Sequence, residues 1–462
     1  MSARRLLFAS IHGYLDPSSG AALATRELLE QLAARGWDCR ALACGVLDYE
    51  QETPLEEVLA AMEAPLERAE AALNRRQPSC RHPVGARTDE NECTRVLGPP
   101  SLALRAGITG KHGREEYKPE AQARVGNVQI PVWDGAIGGV RVTLMPTKSS
   151  RAEHSPDAPE GAMFLALAEQ VLERFEPAVM LTYGGHWVSL ELMRRARARG
   201  VAVVFHLHNF SYHDIRGFAD VSAVLFPSEY SRRFYRRSIG LGGVVIPDLI
   251  ELDRVIAADP DPTYVTFINP QPDKGMTVFA RIALELERRR PGIPLLVVEG
   301  RGKSEGLARL PVDLSGLGNW NRMENTPDPR DFYRVSRVVL MPSLWRESLG
   351  RVAVEAMANG IPVLASDRGA LPETLGEAGF VFTIPARYTP ANAALPTARE
   401  VAPWVAVIER LWDDRALETR QRRLATEEAG RWAPERLVER YEEFLERISD
   451  GSFTVGDHAG RS

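Results

Sequence analysis

The sequence predicts an α/β protein built from two doubly wound, Rossmann-like domains. Three observations carry this. Apolar strand-like runs alternate with amphipathic helix-like runs from Arg5 onward, and the alternation starts afresh at Tyr264 to Asn269. Between the two series, residues 248–262 are rich in Asp and Pro and read as a linker. The chain has 462 residues, enough for two or three domains with cores of their own.

Composition narrows the function classes. Hydrophobic residues at 44% and charged residues at 26% are ordinary for a globular protein. The net charge of −5 gives no reason to expect a nucleic-acid partner. No apolar run approaches the roughly 20 residues of a membrane span. Leu6 to Ala9 follows two arginines, but the run is too short for a signal peptide and fits a first strand, so a cytoplasmic protein is expected. Of the four cysteines, Cys39 and Cys44 fall in a strand and read as small core residues. Cys80 and Cys93 flank His82 in a spacing that fits no standard zinc pattern, and no residue is assigned to a metal.

In the first half, Arg5 to Ile11 reads as a strand. It runs into a loop ending at Gly20, then a helix over about 21–34 stopped by Gly36, then a strand from Asp38 to Cys44. The loop lacks a full Gly-x-Gly-x-x-Gly. Residues 53–75 repeat apolar positions at helical spacing, with Pro65 inside the run. Val128 to Pro131 and Gly139 to Pro146 read as strands around an Asp134-Gly135 turn. A helix over 160–175, a strand from Ala178 to Thr182, another helix, and a strand from Val201 to Leu207 follow. His208 stands at that strand's C-terminal end, where an open sheet presents ligands; His206 and His186 are weaker candidates. A strand from Val221, a helix to about 238, and Val244 to Pro247 close this half. Arg194, Arg195, Arg197 and Arg199, with Arg232, Arg233, Arg236 and Arg237, make it locally basic, which leaves room for weak peripheral contact with an anionic membrane.

In the second half, the strand ending at Asn269 leads into Pro270-Gln271-Pro272-Asp273-Lys274-Gly275. A strand from Pro294 to Val298 precedes Arg301, and residues 316–328 read as a loop. Arg337 to Met341 is a strand. Apolar positions then recur at 349, 352, 353, 356 and 357, one face of a helix. Ser348 is placed to cap its start and Gly360 its end, and Pro362 forbids continuation before the strand Ile361 to Ser366. Glu347 lies in the loop and Glu355 on the helix. The free N–H groups of Ser348, Leu349, Gly350 and Arg351 form a helix N-terminus suited to a diphosphate, and carboxylates suit sugar hydroxyls. Residues 403–413 and 415–428 read as helices, Trp432 to Ile448 as a last amphipathic helix, and 450–462 as a disordered tail.

From Pro342-Ser343 through Glu347-x7-Glu355, Ala356-Met357-Ala358-x-Gly360-x-Pro362-Val363 and Ser366 to Glu373 and Gly379, the sequence resembles the donor-site signature of the retaining family-four glycosyltransferases. The resemblance implies a GT-B fold, with two Rossmann-like domains facing an interdomain cleft. The domains would cover 1–247, completed by the helix at about 432–449, and 248–431. It implies that Glu355 holds the nucleotide ribose and Glu347 the donor sugar, that amides near 348–351 contact sugar or phosphate, that Lys274 holds the diphosphate, and that His208 faces the sugar. Gly20 would approach the donor phosphates from the other domain. The family has an Arg where this chain has Asn269, and Arg301, Arg346 or Arg351 are candidates to replace its charge.

The implied reaction transfers a sugar from a nucleotide-diphosphate sugar with retention of configuration, without a required metal or cofactor. The acceptor, whether glycan, lipid, protein or small molecule, is not legible in the sequence. The alternatives are a glycosyltransferase-like protein that binds nucleotide sugar or glycan without turnover, and a GT-B epimerase or phosphorylase.

Overall fold

The computed structural model describes residues 4–47, 52–53, 57, 121–125, 128–154, 156–312, 314 and 317–453. Nearly all of the helix expected over 53–75, the segment with Cys80, His82 and Cys93, and the tail from 454 lie outside them.

Two sheets organise the chain. The first has nine strands in the order β3-β4-β5-β2-β1-β6-β7-β8-β9. They are β1 (Arg5–His12), β2 (Asp38–Val46), β3 (Ala121–Val125), β4 (Val128–Ile137), β5 (Val140–Met145), β6 (Val179–Thr182), β7 (Ala202–His206), β8 (Ala223–Phe226) and β9 (Val244–Val245). From β5 through β9 the pairing is parallel; β3–β4 and β4–β5 are antiparallel. Helices α1 (Gly20–Ala34), α2 (Ala158–Phe175), α3 (Trp187–Ala198) and α4 (Glu229–Ile239) connect them. Ser19 caps α1 by accepting from Ala22 N, and Asp157 with Glu160 forms a full capping box on α2. Cys39 and Cys44 lie buried in β2.

One turn lies elsewhere than the sequence suggested. β4 runs straight through Asp134-Gly135, where Asp134 pairs with Thr143 across the ladder. The chain reverses instead at Gly138 and Gly139, with φ of 56° and 82°. Two consecutive left-handed residues match the right-handed strand twist, so Gly-Gly takes the turn over Asp-Gly.

The second sheet contains β10 (Tyr264–Ile268), β11 (Leu295–Val298), β12 (Trp320–Met323), β13 (Ser336–Met341), β14 (Val363–Ser366) and β15 (Phe380–Phe382). All pairs are parallel, in the order β12-β11-β10-β13-β14-β15. That is the doubly wound 3-2-1-4-5-6 order. Its helices are α5 (Met276–Arg289), α6 (Glu305–Ala308), α7 (Arg330–Val335), α8 (Arg351–Ala358), α9 (Leu371–Leu375), α10 (Ala398–Asp413) and α11 (Arg415–Ala429). β12 corrects the loop expected over 316–328: Trp320 to Met323 adds an edge strand to β11. Four residues with polar centres carry no periodicity signal, and only the neighbouring strand reveals them. β11 shows why the sheet is apolar throughout. Leu295 and Val297 enter the core under α5 and α10, and Leu296 and Val298 enter the core under α8.

The last helix, α12 (Pro434–Ser449), returns to the first sheet, where Val438, Tyr441 and Leu445 join its core. Tyr441 Oη donates to Pro247 O at 3.1 Å, tying this helix to the chain just beyond β9.

Candidate functional site

In a doubly wound sheet the ligand crevice opens where the strand order reverses, outside the C-terminal strand ends. Here that point lies between β10 and β13. The loops that leave these strands carry Lys274 and Glu347, 73 residues apart in sequence. Backbone bonds knit the loops: Leu344 N and Trp345 N both donate to Asp273 O, at 2.9 and 3.0 Å.

On this frame Lys274 Nζ donates to Glu347 Oε1 at 2.8 Å, and Ser343 Oγ donates to the same oxygen at 2.8 Å. Glu347 is buried, while the Lys274 side chain keeps 34% of its surface exposed. A carboxylate held by a partly exposed ammonium leaves the cation with donors to spare for a phosphate. Gly275 explains the Lys-Gly pair. Its φ is +81° and a Cβ there would meet Pro342 O at 1.9 Å. Gly369 does the same for Glu347: its φ is +71°, and a Cβ would lie 2.2 Å from Glu347 O. Gly275→Ala is therefore expected to cost at least about 1–3 kcal/mol from backbone conformation alone. It should push the Lys274 loop off the Glu347 loop, lowering the melting temperature and nucleotide affinity together. An unchanged melting curve would show that the two loops do not pack this closely.

The helix after Glu347 begins later than its sequence suggested. α8 starts at Arg351, its cap is Gly350 at φ 92°, and no side chain caps it. Ser348 is not the cap, because its carbonyl is turned to the first half of the chain, accepting from Ser228 Oγ at 2.6 Å and Ser231 Oγ at 3.1 Å. Leu349 is buried in the core beneath α8. Glu355, one turn into the helix, is also buried. Its Oε1 accepts from Arg351 Nε and its Oε2 from Tyr333 Oη at 2.8 Å. Arg351 also donates both terminal nitrogens to Glu27 on α1, at 2.7 and 2.8 Å. Burial opposes the charge on Arg351, but Glu27 and Glu355 outweigh it and hold the guanidinium protonated. Tyr333 is pushed well up, by burial and then by Glu355.

The remaining candidates are placed apart from this pair. Asn269 ends β10 at φ 60°; its Oδ1 accepts from Gly302 N at 2.7 Å and its Nδ2 donates to Gln271. It shapes the 300–302 turn, in which Arg301 sits half-buried, instead of supplying a charge. Gly20 opens α1, and a Cβ there would meet nothing within 4 Å, so packing does not require glycine. His208 follows β7, edge-on to Tyr183 at 5.3 Å and beside His206 at 4.0 Å. His186 caps α3 by accepting from Val188 N.

Glu27 and Tyr333 were not singled out from the sequence, and Ser343 and Glu373 entered only as part of the signature, without a role. Glu373 reaches across to the start of α4, accepting from Glu229 N and Tyr230 N at 2.8 Å each. Arg346, a candidate for the charge missing at Asn269, lies over the Phe234 ring at 5.3 Å. No local signal marks Glu27, which follows Arg26 and precedes Glu30 in a mixed polar and apolar stretch of α1.

The family described as glycosyl transferases group 1 matches residues 261–395. A D-inositol 3-phosphate glycosyltransferase of Rhodococcus erythropolis is 38% identical over 138 residues; the match covers 27% of this chain and 31% of that protein, so the chain spans about a third of that relative's length. A GDP-mannose-dependent alpha-(1-6)-phosphatidylinositol monomannoside mannosyltransferase of Mycolicibacterium smegmatis is 29% identical over 279 residues, covering 52% of this chain and 72% of that protein. Among solved structures, the sucrose-phosphate synthase of Thermosynechococcus elongatus superposes with a TM-score of 0.60 at 15% identity, covering 97% of this chain and all of that one. Residues 261–395 are thus similar to the glycosyl transferases group 1 family, and the chain as a whole has the GT-B fold.

Proposed function

We propose that this protein is a retaining glycosyltransferase that takes a sugar from a nucleotide-diphosphate sugar. The observation that carries the reading is the Lys274–Glu347 pair at the strand-order reversal of the second sheet, directly before the N-terminus of α8. Lys274 and the first amides of α8 would hold the diphosphate and balance its charge as it leaves. These groups occupy the role a divalent ion plays elsewhere, so the reaction is expected to proceed equally with and without added Mg2+ or Mn2+. Glu347 would face the donor sugar and Glu355 the ribose, with His208 at the sugar from the other domain. No side chain is assigned as a covalent nucleophile. Same-face attack, with donor phosphate taking the acceptor proton, accounts for retention.

The relatives' names put inositol phosphates and phosphatidylinositol mannosides first among acceptors to test, and GDP-mannose among donors. The experiment is a thermal-shift panel of UDP, GDP, ADP and their sugar conjugates, followed by donor hydrolysis and transfer assays. A donor that stabilises the protein and is turned over supports the reading; stabilisation with no hydrolysis or transfer to any acceptor favours a binding protein. Lys274→Ala should weaken diphosphate ligands about 10-fold or more while leaving the bare nucleoside nearly unchanged, as loss of a charge-assisted contact requires. Equal loss for both ligands would place Lys274 away from the diphosphate.

A further inference from the structure

The end of β7 holds a cluster of which the donor reading uses only His208. His206 and His208 stand two residues apart in extended chain, so their side chains leave the sheet on one face. Asp248, just beyond β9, closes against both. Its Oδ1 lies 3.1 Å from His206 Nε2 and 3.6 Å from His208 Nδ1. One ligand atom from each of the three lies within 4.8 Å of the others.

These contacts leave the cluster only partly satisfied. His206 Nδ1 and His208 Nε2 are buried without a hydrogen-bond partner, and the approach of His206 Nε2 to Asp248 Oδ1 at 3.1 Å is not aligned as a hydrogen bond. Orphaned polar atoms gathered in one buried spot are costly, and an ion is among the few things that would satisfy them. The spacing fits. Ligands about 2.0–2.2 Å from a tetrahedral zinc stand about 3.3 Å apart, between the two separations seen here. Tyr441 on α12 braces the spot, bonding Pro247 O and standing edge-on to His206.

We propose that His206 Nε2, His208 Nδ1 and Asp248 Oδ1 form a three-ligand site for a zinc-class divalent ion. Binding through Nδ1 leaves Nε2 as the protonated nitrogen of His208, so the ion would fix that ring's tautomer and orientation. The site involves none of the diphosphate groups and shares only His208 with the donor reading.

The test uses untagged full-length protein, stripped with chelator, desalted, equilibrated with Zn2+ or Co2+ and gel-filtered before elemental analysis. The parent should retain one ion per chain, and its Co2+ form should show the visible absorption of a four-coordinate centre. His206→Gln and Asp248→Asn should each lose the ion and the spectrum, whereas His213→Ala, an exposed histidine, should keep both. Should His206→Gln fail to fold, the parent spectrum and the near-isosteric Asp248→Asn still decide. A parent that retains no ion, or an Asp248→Asn chain that retains as much as the parent, overturns the site. Nucleotide-induced thermal shifts on the same samples report the donor site separately.

Discussion

Arg351→Met is expected to destabilise the protein by about 3–5 kcal/mol, the cost of leaving buried carboxylates without their cation. Glu27 and Glu355 are 3% and 7% exposed, and one guanidinium serves both. Removing it leaves two negative charges facing each other where α1 of the first domain meets α8 of the second. A surface pair would be worth a fraction of this and would weaken with salt; here the loss should persist at high ionic strength. The check is denaturant or thermal unfolding of Arg351→Met, Glu27→Gln and the double variant. The double variant should recover stability relative to Arg351→Met, giving a coupling of about 1–3 kcal/mol. A Glu27–Arg351 coupling near zero would mean that the bridge between domains does not persist in solution. Because the bridge joins α1 to α8, Arg351→Met should also make the segment 248–262 between the two sheets more open to proteolysis.

On the proposed reading, Glu347 in its loop and Glu355 on α8 should separate cleanly. Glu347→Gln is expected to bind free nucleotide within a few-fold of the parent yet turn over roughly 100-fold more slowly, since a fixed charge beside the sugar matters most as positive charge develops there. Gln still accepts from Ser343, so the loop keeps its shape. Glu355→Gln should weaken nucleotide and nucleotide sugar alike, by about 1.5–3 kcal/mol, with the saturated rate nearly unchanged, because ribose is the same in ground and transition states. Both of its oxygens already accept one hydrogen bond, but each has a second lone pair for a ribose hydroxyl. Calorimetry with the nucleotide and steady-state kinetics on both variants decide the assignment. If Glu355→Gln lowers stability and leaves nucleotide affinity intact, Glu355 is a strut between the domains and the ribose lies elsewhere. If Glu347→Gln loses nucleotide binding, its main task is to hold Lys274.

Much of this was legible in the amino-acid sequence. The strand, loop, helix, strand unit from Arg337 to Ser366 announces itself by apolar period and by its closing Gly360 and Pro362. Lys274-Gly275 could be marked because a loop after a parallel strand is where an open sheet meets its ligand. Such features are written within a dozen residues, and local periodicity and turn chemistry suffice to read them. The pairing of Glu27 with Arg351 spans 324 residues, and no local pattern encodes it. The same holds for Glu373 at the start of α4, for Asp248 against His206 and His208, and for β12 at the sheet edge. Whether a carboxylate binds a ligand, caps a helix or braces another domain depends on which surface the fold brings opposite it. Alone, the sequence determined the two successive strand–helix series and marked the loops proposed to hold the donor. The tertiary structure decided which charges in those loops are already spoken for, because burial and the meeting of distant elements, not residue type, set the energy of a charge.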